Sequence, residues 1–314
     1  MIRTYDLNQG SPACTEFKQG SPLPEEGWIN LINPSPEECS FVHESLGIPL
    51  EHLRAALDYN ERPRLEYASG ILLIIARAPR VKESENGVNS FSTSPIAVIL
   101  RGGLIVTICL TDMAEVILGH KLQGGNAYPA ERLMLNFLMR ISTTFIRELQ
   151  LMDKNVSDIE LSLRKSMQNK ELIRMLHIEK ALIYFLTALK GNQAVLEKLK
   201  SSSYPLCSKE DRNLLDDVMI ENKQATDMAE IYTQIIGSLG DTFGAIVSNN
   251  LNKVMKVLTS LTIVFMVPSI IGSLYGMNVE LPLQGNPYAF IALCLLCLGI
   301  SFVLFYILRK KDWM

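Results

Sequence analysis

The sequence predicts an α+β membrane protein: a cytoplasmic α/β domain, then a long stalk helix that continues into the first of two C-terminal transmembrane helices. Three observations predict it. Charged residues make up 20% of the 314-residue chain, yet none lies between Lys256 and Glu280 or between Glu280 and Arg309. Each gap exceeds the roughly 20 apolar residues that a spanning helix needs. No proline occurs from Ser208 until Pro268, and apolar residues keep a three-four spacing through that stretch, as a long helix requires. The first part of the chain instead mixes short β-rich runs with turn and cap signals. The expected domains are residues 1–125 (cytoplasmic α/β), 126–250 (helical stalk) and 251–314 (transmembrane hairpin), with spans at about 257–275 and 288–308.

Taken in order, residues 35–46 read as a short helix, with Pro36 near its start and Glu37 and Glu38 in its first turn, where the helix dipole favours acids. The run 71–76 is apolar and β-rich. Runs 96–100 and 104–110 flank Arg101-Gly102-Gly103, a hairpin signal. These imply an α/β domain with a small sheet. After Pro129 no proline occurs until beyond residue 199, and Leu133, Phe137, Ile141, Phe145, Leu149, Met152, Val156, Ile159 and Leu163 recur at helical spacing. A pair of long helices turning near Asn169 is expected. The stalk carries Val218, Ala225, Met228, Tyr232, Ile235, Leu239, Phe243, Ile246, Val254 and Leu258. A helix over 209–275 would be about 100 Å long and needs partners, from this chain or from copies of it, to cover that stripe. Gly237, Gly240 and Gly244 each cost it about 1 kcal/mol relative to alanine and permit a close helix approach or a bend.

The net charge of -3, with no basic block outside the last few residues, argues against a nucleic-acid partner. Arg3, Asp6, Glu16 and Lys18 are followed by no apolar run, so no cleaved signal peptide is read and the N-terminal domain is expected in the cytoplasm. The six cysteines (Cys14, Cys39, Cys109, Cys207, Cys294, Cys297) lack the spacing of a disulfide framework or zinc site. Cys294 and Cys297 form a C-x-x-C inside an apolar span and read as packing residues. His43, His52, His120 and His177 are dispersed, so no soft-metal site is visible. With no Gly-rich phosphate loop, paired metal ligands or nucleophile motif, an enzyme is not expected, nor an organic cofactor.

The spans are joined by the short segment 276–287, so they form a hairpin. Lys253 and Lys256 precede the first span, Arg309, Lys310 and Lys311 follow the second, and the connecting loop holds neither Lys nor Arg. The positive-inside rule places both termini in the cytoplasm, with the protein multi-pass in the cell (inner) membrane and lipid around its spans. On the first span Asn252, Met255, Thr259, Thr262, Met266, Ser269 and Ser273 alternate steps of three and four and share one face. Val257, Leu261, Ile263, Val264, Phe265, Ile270 and Ile271 lie between them and suit lipid or the second span. Small and hydroxyl residues also mediate plain helix packing, but this stripe continues into Tyr275-Gly276-Met277-Asn278 at the outer end. Hydroxyls and amides without a carboxylate suit Mg2+, which sheds its waters reluctantly. A path for the hydrated ion needs oxygens that bind its water shell without a fixed charge to trap it. Asn278 supplies an amide at the mouth, and Met255, Leu258 and Met266 can form apolar constrictions. One helix per chain cannot surround a path, so a ring of copies is required.

At Tyr275-Gly276-Met277-Asn278, behind a long helix and ahead of a basic tail, the sequence resembles the CorA family of divalent cation transporters, which keeps its Gly-Met-Asn at this place. Residues 248–259 also resemble the family's stretch where the chain meets the membrane. The resemblance implies a homopentamer with a cytoplasmic α/β domain, passing Mg2+ and often Co2+ or Ni2+, and Gly276, Met277 and Asn278 as its selectivity filter. It further implies regulation by cytoplasmic Mg2+ held between neighbouring subunits. Asp217 matches the family's stalk acid, with Glu83 or Glu85 as the partner acid; a solvated face is the alternative for Asp216, Asp217 and Glu221. Two rivals are a zinc transporter of the ZntB type, whose motif usually carries Ile in place of Met277, and a two-span membrane-anchored sensor without transport.

Overall fold

The computed structural model describes residues 1–314 except 6–13, 17–21, 84–88, 113–128, 166–168, 202–203, 205–207, 280–285, 312 and 314; of 14–16, 82, 83, 89, 163–165 and 169 the backbone alone is described. The chain divides into two compact units, Met1–Gly237 and Ser238–Met314.

The first unit is built on a sheet with the strands β1 (Ile2–Tyr5), β2 (Cys14–Glu16), β3 (Gly27–Ile32), β4 (Arg64–Ala68), β5 (Ile71–Glu83), β6 (Asn89–Arg101) and β7 (Leu104–Cys109). Their order is β2-β1-β3-β7-β6-β5-β4. Among the described strands only β3 and β7 run parallel, in register from Gly27 opposite Leu104 to Ile32 opposite Cys109. The sheet of seven strands corrects the expectation of a small one. β1 to β4 are short or carry charged residues, so they escape a search for apolar runs.

β5 and β6 pair over their whole length as a hairpin ribbon, well beyond the expected 71–76 and 96–100. Arg77, Pro79 and Pro95 look like breakers, and the topology explains why they are not. β4 covers β5 only as far as Ile75, and β7 covers β6 only from Ile96 onward. Both prolines therefore sit where their strand has one partner, the placement a residue without an N–H tolerates. At Arg77, just past the end of β4, the Asn192 side chain takes over the ladder. Its Oδ1 accepts from the Arg77 N–H at 2.9 Å, and its Nδ2 donates to the Arg77 carbonyl at 2.8 Å. The Arg77 guanidinium donates to the carbonyls of Tyr59, Glu61 and Thr93 and to the Thr93 hydroxyl, and burial holds its pKa below the usual arginine value. The turn between β6 and β7 puts Gly102 at φ 58°, a left-handed conformation that glycine adopts without a Cβ clash.

One sheet face packs on α1 (Pro36–Leu46) and α2 (Leu50–Ala55). Ile29, Leu31, Leu73, Ile75, Ile99, Val106 and Ile108 meet Cys39, Val42, Leu46 and Leu53 there. α1 occupies the stretch read as a helix, and the structure adds its ends: Ser35 caps it in a capping box with Glu38, and Gly47 ends it. The other face packs on α3 (Ala130–Lys165) and α4 (Asn169–Ser201). Trp28 meets Phe137 at 5.2 Å, and Phe185 stands edge-on to both Phe145 and Phe91. Leu133 through Ile159 of the expected α3 stripe are buried; the Leu163 side chain lies outside the described residues.

α5 runs from Lys209 to Tyr275 as one helix. Within the first unit it buries Leu215, Val218, Asn222, Ala225, Ala229 and Ile236. The Asn222 amide donates to the Leu189 carbonyl and to Gln193 Oε1 of α4, at 3.1 and 3.0 Å. The seam shifts by one residue near its end: Ile236 is buried and the expected Ile235 is 41% exposed. The second unit holds the rest of α5 and α6 (Ala289–Lys310).

Asn192→Ala should leave the Arg77 N–H and carbonyl unpaired under cover. Each buried group left so costs about 1–3 kcal/mol, so the thermal transition of the full-length protein in detergent, followed by circular dichroism, is expected to fall by at least about 4 °C.

Candidate ion pathway

α5 and α6 each carry a segment long and apolar enough to cross a membrane, and those segments are only 6% and 0% buried. The core helix of a soluble protein would be largely covered. Arg309 and Lys310 stand in the last turn of α6, and Lys253 and Lys256 lie on α5 ahead of its charge-free stretch.

Asn252, Met255, Leu258, Thr259, Thr262, Met266, Ser269 and Ser273 are all exposed on the single chain. So are Val257, Leu261 and Phe265, and exposure alone does not separate a polar path from a lipid face. Helix phase does. Ser260 is fully buried and Val264, Val267 and Ile271 are half-buried; their spacing puts them on one face, against α6. At 100° per residue the polar stripe is centred about 140° around the axis from that seam. The hydroxyl and amide residues are therefore not used to pack the hairpin. The seam on α6 is made by the half-buried Leu293, Cys297, Ser301, Leu304 and Leu308. Cys297 and Ser301, at its middle, are small enough to let two membrane helices approach. Cys297 is a free thiol in that seam, in line with the packing reading, whereas Cys294 is exposed on the single chain and does not pack in the hairpin.

Two of the hydroxyls on the stripe, those of Thr262 and Ser269, have a defined polarity. Thr262 donates its proton to the Leu258 carbonyl at 2.8 Å, and Ser269 donates to the Phe265 carbonyl at 3.0 Å. With the proton committed to the helix backbone, each oxygen offers outward only lone pairs. The outer hydrogens of an ion's water shell are donors, so a surface of acceptors complements a hydrated cation and does not complement a hydrated anion.

The helix ends at Tyr275 and Gly276 turns the chain. Its N–H donates to the Gly272 carbonyl at 3.0 Å, and Met277 N–H donates to the Leu274 carbonyl at 3.3 Å. A Cβ on Gly276 would stand 3.3 Å from the Gly272 carbonyl oxygen, a tight contact that glycine avoids. Met277 and Asn278 follow, both exposed. Glu280 lies outside the described residues.

The expected regulatory acids are placed less fully. Asp217 is exposed on α5 and, among the described residues, forms no ion pair. Its neighbour Asp216 is held by Lys200 of α4 at 2.8 Å. Glu83 is the last residue of β5, with its side chain outside the described residues, as is Glu85 altogether. Among the described residues no three of His, Cys, Asp and Glu gather into a metal-binding group. The sequence reading missed two contacts inside the hairpin: the Ser260 hydroxyl donates to the Trp313 carbonyl at 3.4 Å, and the Ser301 hydroxyl donates to the Val264 carbonyl at 3.3 Å. For Ser301 the signal was an isolated hydroxyl in an apolar run, the only serine or threonine between Ala289 and Lys310; Ser260 stands beside Thr259 and Thr262 and gave no such signal.

A family model described as "CorA-like Mg2+ transporter protein" matches residues 27–310. The chain is similar to the "Cobalt/magnesium transport protein CorA" of Methanocaldococcus jannaschii, with 29% identity covering 91% of this chain and 90% of that one. It is also similar to the protein of the same description from Thermotoga maritima, with 21% identity covering 91% and 83%. Its fold matches the complete structure of the CorA magnesium transporter from Methanocaldococcus jannaschii with a TM-score of 0.84 and 27% identity, over 100% of this chain and 99% of that one.

Met266→Asp tests the phase of the stripe. A carboxylate from each copy, facing a shared path, should change Mg2+ influx into liposomes by an order of magnitude or more, since like charges at close quarters interact at about 4 kcal/mol even with moderate screening. Flux like that of the unaltered protein would place this face against lipid.

Proposed function

Because the chain belongs to the CorA-like Mg2+ transporter family, and is a divalent cation transporter rather than an enzyme, we propose that it passes Mg2+ with its water shell along the polar stripe of α5, in a homopentamer. The observation that carries this reading is the position and polarity of the stripe: it faces away from α6, and its Thr262 and Ser269 hydroxyls present lone pairs only. A membrane anchor has no use for such a face. A path lined by one helix per chain needs several copies, and the family resemblance supports five. The names of the two curated relatives support cobalt as a further permeant ion; the family resemblance adds nickel.

In this reading both termini lie in the cytoplasm and Gly276, Met277 and Asn278 form the outer mouth. Gly276 lets the chain turn sharply at the end of α5, and Asn278 contributes one amide oxygen per copy to a ring that holds the ion's first waters. Mg2+ exchanges those waters slowly and keeps them where it can, so the ring selects by the geometry of the hydrated ion. Met255, Leu258 and Met266 narrow the path with apolar side chains that close it when it dewets.

Regulation follows from Asp217. Its carboxylate is exposed and uncommitted, the state a hard cation requires of an oxygen ligand. Mg2+ bridging Asp217 to an acid of the neighbouring copy, Glu83 or Glu85, relieves repulsion between carboxylates and so favours one of two arrangements of the ring. High cytoplasmic Mg2+ then holds the closed arrangement.

Two outcomes check this function. Asn278→Ala should remove selective Mg2+ uptake while the oligomer still assembles, measured by Mg2+ dye in liposomes beside size-exclusion chromatography; an unchanged competition profile would take Asn278 out of the filter. Asp217→Lys, whose ammonium stands in for the bridging ion, should flatten inhibition by internal Mg2+ and leave folding and transport in place. Superimposable inhibition curves would make Asp217 part of a solvated face.

A further inference from the structure

Pro268 stands inside α5. A proline has no N–H to give to the carbonyl four residues before it, and its ring crowds that carbonyl. The carbonyl belongs to Val264, and the Ser301 hydroxyl of α6 donates to it at 3.3 Å. Both residues are half-buried in the hairpin seam. Within hydrocarbon no water takes the place of a missing donor, so this bond fills the one position in the ladder that Pro268 vacates. The next carbonyl, of Phe265, accepts the Ser269 hydroxyl at 3.0 Å. Two successive carbonyls on the turn before Pro268 thus accept hydroxyls, a pattern that accompanies bending. One turn nearer the cytoplasm, buried Ser260 reaches the Trp313 carbonyl, a second tie on the same face of α5.

The geometry points to Ser301 as a positioning residue for conduction: its hydroxyl replaces the N–H that Pro268 lacks and so fixes the turn of α5 that carries Met266 and Ser269. The inference rests on the reading of α5 as the helix that lines the path. Ser301 itself lies on the opposite side from the stripe and does not touch the ion. Without its hydroxyl, the Val264 carbonyl is unpaired in the membrane and the turn between Val264 and Pro268 is free to bend, which moves Met266 and Ser269 relative to the same residues of the other copies.

The test is a double-mutant comparison in the full-length protein reconstituted in liposomes, with initial Mg2+ influx scaled to the amount of assembled oligomer. Ser301→Val should lower influx by about threefold and at most about twentyfold, the range that a single interhelical hydrogen bond in a membrane supplies. Ser301→Thr, nearly the same volume but with a hydroxyl, should behave as the unaltered protein. Pro268→Ala restores the backbone donor, so adding Ser301→Val to it should change nothing further. Equal effects of Ser301→Val with and without Pro268, or equal behaviour of the Val and Thr variants, would overturn the inference. If Ser301→Val fails to assemble, rescue by Pro268→Ala supports it and absence of rescue overturns it. Met266→Asp separates the two readings: no response there removes the path along α5, whereas a strong response with independent Ser301 and Pro268 effects removes only the role of Ser301.

Discussion

A backbone N–H or carbonyl that leaves water must find another partner, at about 1–3 kcal/mol for each one left without, and this demand governs the places where the chain departs from regular structure. In the cytoplasmic unit the ladder of β5 loses its partner where β4 ends, and the Asn192 amide continues it at Arg77. In the membrane unit the ladder of α5 loses a donor at Pro268, and the Ser301 hydroxyl supplies one. At the start of α1 the Ser35 and Glu38 side chains satisfy backbone donors reciprocally. In each case a side chain from elsewhere, or from the next turn, stands in for the missing main-chain group.

The same demand shapes the polar face of α5. Hydroxyls in an apolar span are tolerated when their protons are given to the helix backbone, as those of Thr262 and Ser269 are. What makes them acceptable in a membrane also makes them acceptors toward whatever passes. A hydrated cation presents hydrogens and finds oxygens. Under the proposed pathway, the absence of charge from Val257 to Val279 leaves no single carboxylate to hold the ion long enough to stop it. In the proposed pathway discrimination falls instead to the mouth, where the helix turn closes at Gly276 and the exposed Met277 and Asn278 follow.

The cytoplasmic unit gives α5 a different neighbourhood. There Leu215, Val218, Ala225 and Ile236 are buried, and Asn222 is pinned to α4 by two hydrogen bonds. Asp217 falls between these buried positions on the solvent side, while Ile220, Ile231 and Ile235 are exposed apolar residues of the same unit. Under the proposed oligomer these are the residues that a neighbouring copy would cover, and Asp217 is the acid it would approach.

Much of this protein was legible in the sequence because its strongest signals are periodic and local. Two charge-free gaps, an uninterrupted three-four spacing and a Gly-Met-Asn at the end of the first gap located α5, α6, the hairpin and the polar stripe, and the α1 cap and the turn at Gly102 follow from neighbouring residues alone. What the tertiary structure decided depends on residues far apart in the chain. The length of β5 and β6 was hidden because Arg77, Pro79 and Pro95 break strands unless the neighbouring strand happens to end beside them. The buried seam of α5 at Ile236 rather than Ile235 depends on what α5 packs against, since either phase satisfies the spacing. Ser301 and Val264 are separated by a whole span and a loop. No local pattern says that a hydroxyl on one helix will meet the carbonyl freed by a proline on the other, because that meeting is set by how two helices pack and not by the order of residues along either.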